Sequence, residues 1–233
     1  SLDSVGPLAR SVACCAVLDA AIAGDEGPAP PPPRPLAGLR LALPRGTFLM
    51  DDIDATVGAA FQRALSRLSA AGARIEMLDL PELAELPAVN AAGGFAASEA
   101  WAWHRALIGR AAGRYDPRIL ARIKRGERMS AADYIDTLAA RADLIPRDFD
   151  ALVTPTCPII PPALAEVAEE REYNRINLLL LRNTAVGNFL DRCSISLPIH
   201  RPGEAPVGLM LTGEAMADRA LFGIAAAVEA ALA

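Results

Sequence analysis

Two short strand-like segments flank one amphipathic helix near the start of the chain, and this pattern is its strongest constraint on the fold. Residues 39–43 alternate in polarity as a strand does and end at Pro44, and residues 73–79 form a second predicted strand. The helix between them carries the apolar stripe Ile53, Val57, Phe61, Leu65 and Leu68. A β-α-β unit predicts parallel strands joined by a right-handed crossover. Either Asp51 or Asp52 is the predicted helix cap.

The rest of the chain continues this mixture of helices and strands. The further predicted elements are helices within 84–147, a strand at 150–154, a helix at 173–188, two buried strands at 193–197 and 207–212, and a last helix that begins near Asp218 and buries Leu221, Ile224, Val228 and Leu232. We therefore predict an α/β fold with three layers, α/β/α, around a mixed central sheet.

Several helix ends are marked by local signals. Ser130-Ala131-Ala132-Asp133 has the pattern of a capping box. It opens a helix that carries Tyr134, Leu138, Arg141 and Ile145. The N-terminal helix, residues 8–23, has the predicted face Leu8, Val12, Cys15, Leu18 and Ile22. Gly24 fits the left-handed position after it, and Pro28–Pro35 predicts an extended surface connection.

Length and composition bound the class of protein. The 233 residues have a net charge of -5, which disfavours nucleic acid as a partner. No apolar run reaches the roughly 18–20 residues that span a bilayer, so we expect no membrane partner. The cysteines Cys14, Cys15, Cys157 and Cys193 show no metal-ligand spacing. We expect a cytoplasmic protein without cofactor or bound metal.

The C-terminal third resembles a known enzyme family. The run 182–191, followed by 194–198 and 206–211, is similar to the "NxxGxPaisvP…PvGlmL" run of amidase signature enzymes. Residues 1–10 resemble the "SLDtvGPlaR" segment of that family. Three intermediate segments, at 99–104, 122–134 and 149–156, resemble "aEa..h", "ri..G..isaadY" and "fDallTPt". The resemblance covers nearly the whole chain.

This resemblance implies hydrolysis of carboxamides to a carboxylate and ammonia or an amine. In the family, a serine nucleophile, a second serine preceded by a cis peptide and a lysine base occupy runs like "GGSSGG" and "DTGGS". Neither run occurs in this sequence, and Gly93-Gly94 is followed by Phe95 rather than by serine. Lys124, the one lysine of the sequence, lies among arginines and matches no catalytic position of the family. We therefore expect no catalytic residue in this chain and an inactive isolated chain. The missing N-terminal half would be its partner, and the fold would be incomplete.

The implied domain is the C-terminal portion of one amidase domain, residues 1–233. Its predicted parts are a helix at 1–24, a Pro-rich linker at 28–37 and an α/β unit at 38–233 with a helical insert at about 84–147. Because Ser1 opens within a motif, we expect a processed, proteolysed or partial chain.

By position in the family, the residues nearest a small-molecule amide substrate are Trp101, Thr154, Cys157 and Asn188. A packing role is the alternative for each of them. Asn188 is expected to satisfy backbone groups beside the strand at 193–198. Leu181 stands where tRNA-dependent amidotransferase A subunits have a carboxylate, so the resemblance favours a general amidase.

Two other functions are compatible with the sequence. A non-catalytic binding or assembly module on an amidase-like scaffold would need no nucleophile. A thiol hydrolase would need Cys157 beside His104 or His200. A homo-oligomer is compatible with either reading.

Overall fold

The computed structural model describes residues 1–143 and 149–233. Strands β1 to β5 span Arg40–Arg45, Arg74–Asp79, Ala151–Pro155, Ser194–Pro198 and Gly208–Thr212. Helices α1 to α9 span Val12–Ala23, Ala55–Ala70, Leu86–Val89, Gly94–Ala111, Pro117–Arg125, Ala131–Asp143, Glu170–Leu181, Thr184–Phe189 and Asp218–Leu232. Short 3-10 turns lie between several of these elements. Within the described ranges, no helix is long and apolar enough to span a membrane.

The described residues divide into two compact units. The smaller unit contains Ser1–Asp3 and the residues from Pro81 to Asp143, with helices α3 to α6. The larger unit contains Ser4–Leu80 and residues 149–233, with strands β1 to β5 and the remaining helices. The candidate site described below is built from the larger unit.

The sheet has the strand order β2-β1-β3-β5-β4. Strand β1 is parallel to both β2 and β3, whereas β5 is antiparallel to both β3 and β4. The parallel β-α-β unit and the mixed α/β sheet are thus confirmed. The sequence suggested that β1 ends at Pro44, but the strand continues to Arg45. At Pro44 the strand pairs with β2, while its pairing with β3 is confined to Leu41 and Ala42, so the missing N–H has fewer ladder bonds to break.

Helices cover both faces of the sheet, which confirms the three-layer prediction. One face buries Leu41, Val153, Leu209 and Leu211 in the main hydrophobic core together with residues of α2 and α9. On the other face, a Cβ at Gly187 of α8 would lie 2.7 Å from the Ser194 hydroxyl oxygen. Side chains alternate along β4, so this contact places α8 on the face opposite to α2.

The helices of the larger unit follow the sequence pattern with three corrections, of which the first concerns the N-cap of α2. Helix α2 buries Val57, Phe61, Leu65 and Leu68 as predicted. Its N-cap, however, is Asp54 rather than Asp51 or Asp52, since the Asp54 carboxylate accepts from the backbone N–H groups of Thr56 and Val57. Asp54 directly precedes the first helical residue, which is the position that can reach those donors.

Helix α1 buries a face that shares only Val12 with the predicted one. Its buried residues are Val12, Ala16 and Ala20, whereas Leu18 and Ile22 are 45% and 59% exposed. Small side chains allow α1 to lie close to α9, and Glu229 of α9 accepts a 3.0 Å hydrogen bond from the Val12 N–H. Gly24 follows α1 in the left-handed conformation, with φ of 83°, as expected.

Two predictions in the C-terminal third are wrong in detail. Strand β4 is an edge strand on which Ser194, Ser196 and Pro198 are exposed, so it is not a fully buried strand. The helix predicted at 173–188 is broken between Leu181 and Thr184 into α7 and α8. The last helix buries Leu221, Ile224 and Val228 as predicted, with Leu232 partly buried.

The proline-rich segment after α1 is attached to the fold. The backbone N–H of Arg34 donates to the Gly223 carbonyl of α9 at 2.9 Å. A Cβ at Gly223 would lie 3.1 Å from the Pro32 carbonyl oxygen, so the glycine allows this close approach.

In the smaller unit, helices α4, α5 and α6 pack around small residues and one aromatic cluster. The predicted capping box is confirmed, because Ser130 Oγ accepts from the Asp133 N–H and the Asp133 carboxylate accepts from the Ser130 N–H. Phe95 is fully buried and makes an edge-to-face contact with Tyr134. Ile145, predicted on the same helix, and the end of the predicted insert lie outside the described residues.

Candidate functional site

The candidate site lies where the parallel strands β1 and β3 end. In open α/β sheets, ligands bind in the crevice beyond the carboxyl ends of such strands. The segment after β1 contains the 3-10 turn Phe48–Met50, and the segment after β3 contains Thr156 and Cys157. Cys157, one of the four predicted pocket residues, lies in the second of these segments, and Thr154 lies near the end of β3.

A single buried amide joins the two segments. The Asn183 side chain is 0% exposed, and its Nδ2 donates to the Leu49 carbonyl at 3.2 Å and to the Pro155 carbonyl at 2.8 Å. Both N–H groups of the amide are used by backbone acceptors from different loops. Asn183 lies in the break between α7 and α8. This position brings its amide to the carboxyl ends of strands β1 and β3.

The neighbouring arginine completes this connection. Arg182 Nε donates to Asn183 Oδ1 at 3.0 Å, and Arg182 Nη2 donates to the Leu49 carbonyl at 3.1 Å. The four residues Leu49, Pro155, Arg182 and Asn183 are called the Asn183 tie below. Burial lowers the pKa of Arg182, and the negative charges of Asp51 and Asp52 act in the opposite direction. The guanidinium is therefore partly desolvated, and the charges of Asp51 and Asp52 favour its protonated form.

A second backbone contact links the same segments. The Asp54 N–H donates to the Pro158 carbonyl at 2.8 Å, while the Asp54 carboxylate caps α2. The loop after β3 is therefore fixed at Pro155 by a side chain and at Pro158 by the backbone of the residue that starts α2.

The four predicted pocket residues fall into different environments. Thr154 is 1% exposed on β3, and Cys157 is half-buried two residues after the strand. Asn188 is exposed on α8. Trp101 is half-buried on α4 of the smaller unit. Thr154 and Cys157 thus flank the Asn183 tie, whereas the buried amide expected at Asn188 is found at Asn183.

Hydroxyl groups line the face of β4 that lies opposite to α2. Thr156 Oγ1 and Ser196 Oγ are 2.6 Å apart, and a Cβ at Gly208 would come within 2.6 Å of both oxygens. The Ser194 and Thr212 hydroxyls are hydrogen bonded at 2.9 Å. The alternation Ser194-x-Ser196 in a predicted strand could have indicated this row, but its partners come from other strands.

The thiol-hydrolase alternative finds no support in these contacts. Cys157 Sγ donates to the Leu180 carbonyl at 3.5 Å, and burial raises the pKa of this thiol. A nucleophilic cysteine needs the opposite shift. His104 Nδ1 contacts the Tyr115 hydroxyl at 2.9 Å, and His200 Nδ1 faces the Val207 backbone.

Lys124 is exposed on α5, as a solvated side chain would be. Residues 1–143 and 149–233 contain no group of three or more potential metal-ligating side chains.

Comparison with known proteins identifies the family to which this chain belongs. Residues 1–222 match the Amidase family, and the chain belongs to that family. It is 36% identical over 239 residues to 2-amino-5-chloromuconic acid deaminase of Comamonas testosteroni, covering 99% of this chain and 51% of that protein. It is 29% identical over 280 residues to the A subunit of glutamyl-tRNA(Gln) amidotransferase from Salinispora arenicola (strain CNS-205), covering 100% of this chain and 56% of that protein.

Solved structures share the fold. An amidase crystal structure superimposes with a TM-score of 0.78 at 24% identity, covering 98% of this chain and 52% of that one. 6-aminohexanoate cyclic dimer hydrolase gives a TM-score of 0.71 at 22% identity, covering 96% of this chain and 54% of that one. The chain spans about half the length of the curated relatives it matches. Its identity to the deaminase is higher than its identity to the amidotransferase protein, which agrees with the predicted amidase outside the tRNA-dependent group.

Proposed function

We propose that residues 1–233 are the C-terminal portion of one amidase domain, in a hydrolase that cleaves carboxamides to a carboxylate and ammonia or an amine. The Amidase match over residues 1–222 carries this proposal. The names of two relatives, a 2-amino-5-chloromuconic acid deaminase and a 6-aminohexanoate cyclic dimer hydrolase, support a nitrogen-containing substrate.

In this proposal the bond-breaking groups are a serine nucleophile, a second serine and a lysine base that are encoded before Ser1. The described chain contributes the wall of the acyl pocket, with Thr154 and Cys157 beside the Asn183 tie. Asn188 is the third proposed contact in the larger unit, and Trp101, on α4 of the smaller unit, stays a prediction from the sequence. Because each loop segment is fixed by hydrogen bonds before substrate arrives, the wall loses little conformational freedom on binding.

The proposed substrate lacks a free ammonium next to the amide. Leu181 is 51% exposed at the end of α7, where the A subunits that the sequence resembles have a carboxylate. An apolar side chain offers no charge to pair with an ammonium. A neutral or anionic carboxamide therefore suits this position better than an amino-acid amide.

The test compares residues 1–233 with a longer polypeptide that includes the residues encoded before Ser1. Ammonia release is measured from a panel of simple aliphatic and aromatic carboxamides. We expect turnover from the longer protein and none from residues 1–233. Hydrolysis by purified residues 1–233 would overturn the division of labour. Absence of hydrolysis in both, with binding retained, would favour the non-catalytic module. Cys157→Ala in the longer protein should retain turnover, which separates the serine mechanism from a thiol one.

A further inference from the structure

A pocket of about 260 Å³ lies in the larger unit and shares no lining residue with the Asn183 tie. Its cationic and titratable lining comes from Arg63 and Arg67 of α2 and from His200 and Arg201 of the segment between β4 and β5. The other lining residues are alanine, proline, isoleucine and leucine. The lining found within the described residues therefore contains no carboxylate side chain.

This concentration of positive charge contrasts with the whole chain, whose net charge is -5. Arg63 and Arg67 are four residues apart on α2, so their side chains lie on one face of the helix. Like charges at this spacing repel each other. Among the described residues, the three arginines outnumber the one side-chain carboxylate paired with them, that of Glu204, and an excess of positive charge in a concave surface attracts anions.

Existing contacts hold the arginines in place. Arg63 Nη2 donates to Glu204 Oε2 at 2.7 Å. Arg67 donates to the carbonyl oxygens of Leu232 and Ala233 at 2.9 and 2.7 Å. Each of these contacts uses part of a guanidinium that has five N–H donors. The side chains are therefore oriented while donors remain for a ligand.

Glu204 also organises the segment that carries Arg201. Its carboxylate accepts from the Arg201 backbone N–H at 3.0 Å, and this hydrogen bond lowers the pKa of Glu204, with smaller contributions from the charges of Arg63 and Arg201. In the described part of the chain, the Arg201 guanidinium makes no ion pair within 4.0 Å. One carboxylate thus serves both arginines by different means, and the Arg201 cation stays available.

We propose that this pocket binds a small oxyanion, a phosphate or carboxylate group, with Arg63 and Arg201 as its main contacts. Planar guanidinium groups bind such anions through paired hydrogen bonds. Small-molecule pockets occupy about 300–1,000 Å³, so the observed volume suits a small ligand. The site is separate from the proposed amide pocket and does not depend on the proposed hydrolase activity.

The test titrates residues 1–233 with inorganic phosphate and, in a second series, with succinate, at constant ionic strength. Binding is followed by the NMR signals of the arginine Nε–H groups. We expect saturable shifts of the Arg63 and Arg201 signals. Arg201→Ala should weaken binding at least fivefold, and Arg63→Ala should do the same. The matched control is Arg219→Ala, an exposed arginine on α9, which should leave binding unchanged.

The two anions identify the ligand class. Tighter binding of phosphate indicates a tetrahedral oxyanion, and tighter binding of succinate indicates a carboxylate; either supports the site. Absence of shifts with both anions would overturn the proposal, as would equal weakening by Arg219→Ala. Because Arg201 makes no ion pair to a described residue, Arg201→Ala should fold normally, and its circular dichroism spectrum checks this.

Discussion

The side-chain amide of Asn183 donates a 2.8 Å hydrogen bond to the carbonyl of Pro155, the last residue of β3. The same nitrogen reaches the Leu49 carbonyl in the segment after β1. One uncharged, fully buried side chain therefore connects the segments that follow β1 and β3. Without this amide the Leu49 carbonyl would keep the Arg182 guanidinium as a donor, whereas the Pro155 carbonyl would lose the Asn183 hydrogen bond. A hydrogen bond lost in a buried environment costs free energy.

Asn183→Leu should therefore destabilise the larger unit. We expect the free energy of unfolding to fall by about 1–3 kcal/mol, because the Leu49 and Pro155 carbonyls lose a donor. Urea unfolding followed by far-UV circular dichroism measures the change. Gln62→Leu is the matched control, since this amide is exposed on α2 and its loss should change stability by less than about 0.5 kcal/mol. Equal stability of Asn183→Leu and wild type would contradict the structural role.

Asp54 should stabilise α2 as its N-cap. Asp54→Ala removes the acceptor for two N–H groups of the first turn, and we expect a loss of about 0.5–2 kcal/mol in unfolding free energy. Asp54→Ser keeps a capping oxygen and should restore most of that loss. The exposed Asp51 is the acidic control, and Asp51→Ala should change stability by less than about 0.5 kcal/mol. A larger loss in Asp51→Ala than in Asp54→Ala would return the cap to the residue that the sequence suggested.

Two glycines of the smaller unit should respond to alanine in opposite directions. A Cβ at Gly126 would overlap the Ala97 carbonyl and lie 2.8 Å from the Trp101 Cβ, so Gly126→Ala should lower stability by about 1–3 kcal/mol. Gly109 lies within α4, and a Cβ there would meet no described atom within 4 Å, so Gly109→Ala should raise stability by up to about 1 kcal/mol.

Tryptophan fluorescence suits this comparison, because Trp101 and Trp103 are the two tryptophans of the sequence and both lie on α4. Thermal unfolding of the two alanine variants is recorded beside wild type. A shift of the same sign in both variants would show that the close contact at Gly126 does not decide the packing.

The cysteines should differ in their reactivity towards iodoacetamide. Burial and, to a lesser degree, the charge of Asp218 raise the pKa of Cys193 to about 11, so roughly a thousandth of this thiol is ionised at pH 8. Cys14 is exposed on α1. We expect Cys14 to be alkylated first, and Cys193 labelling to rise steeply up to about pH 11. Mass spectrometry of peptides measures both rates, and labelling in 8 M urea should abolish the difference. Equal native rates at pH 8 would refute the expected burial effect.

The part of the fold that was predicted depends on burial patterns within single elements. Val57, Phe61, Leu65 and Leu68 repeat at helical spacing, and the same residues are buried on α2. Helix α1 lacks such a clear relation, because close contact with α9 selects the small Ala16 and Ala20 rather than larger residues. The sequence pattern shows which residues of a helix are apolar. Which of them are buried depends on the helix that packs against it, here α9 against α1.

The tie at the candidate site could not be predicted in the same way. Asn183 lies within a run that reads as helix, and its acceptors at Leu49 and Pro155 are distant in sequence. No local pattern identifies those carbonyls as partners. The family motif instead predicted Asn188 as the residue near the substrate, and Asn188 is exposed on α8. Thr154 and Cys157 remain predictions as substrate contacts, and the structure adds the hydrogen bonds that fix the segment they share.

The attachment of the proline-rich segment to α9 sets a limit on how this region can vary. Polyproline segments advance about 3.1 Å per residue and do not compress easily. Here the segment leaves Gly24 at one end and is fastened at Arg34 by the Gly223 carbonyl at the other. Because proline fixes φ, the run of prolines at 30–33 cannot easily change its length, so losing or gaining one proline would displace the Arg34 hydrogen bond to the Gly223 carbonyl and the chain that enters β1.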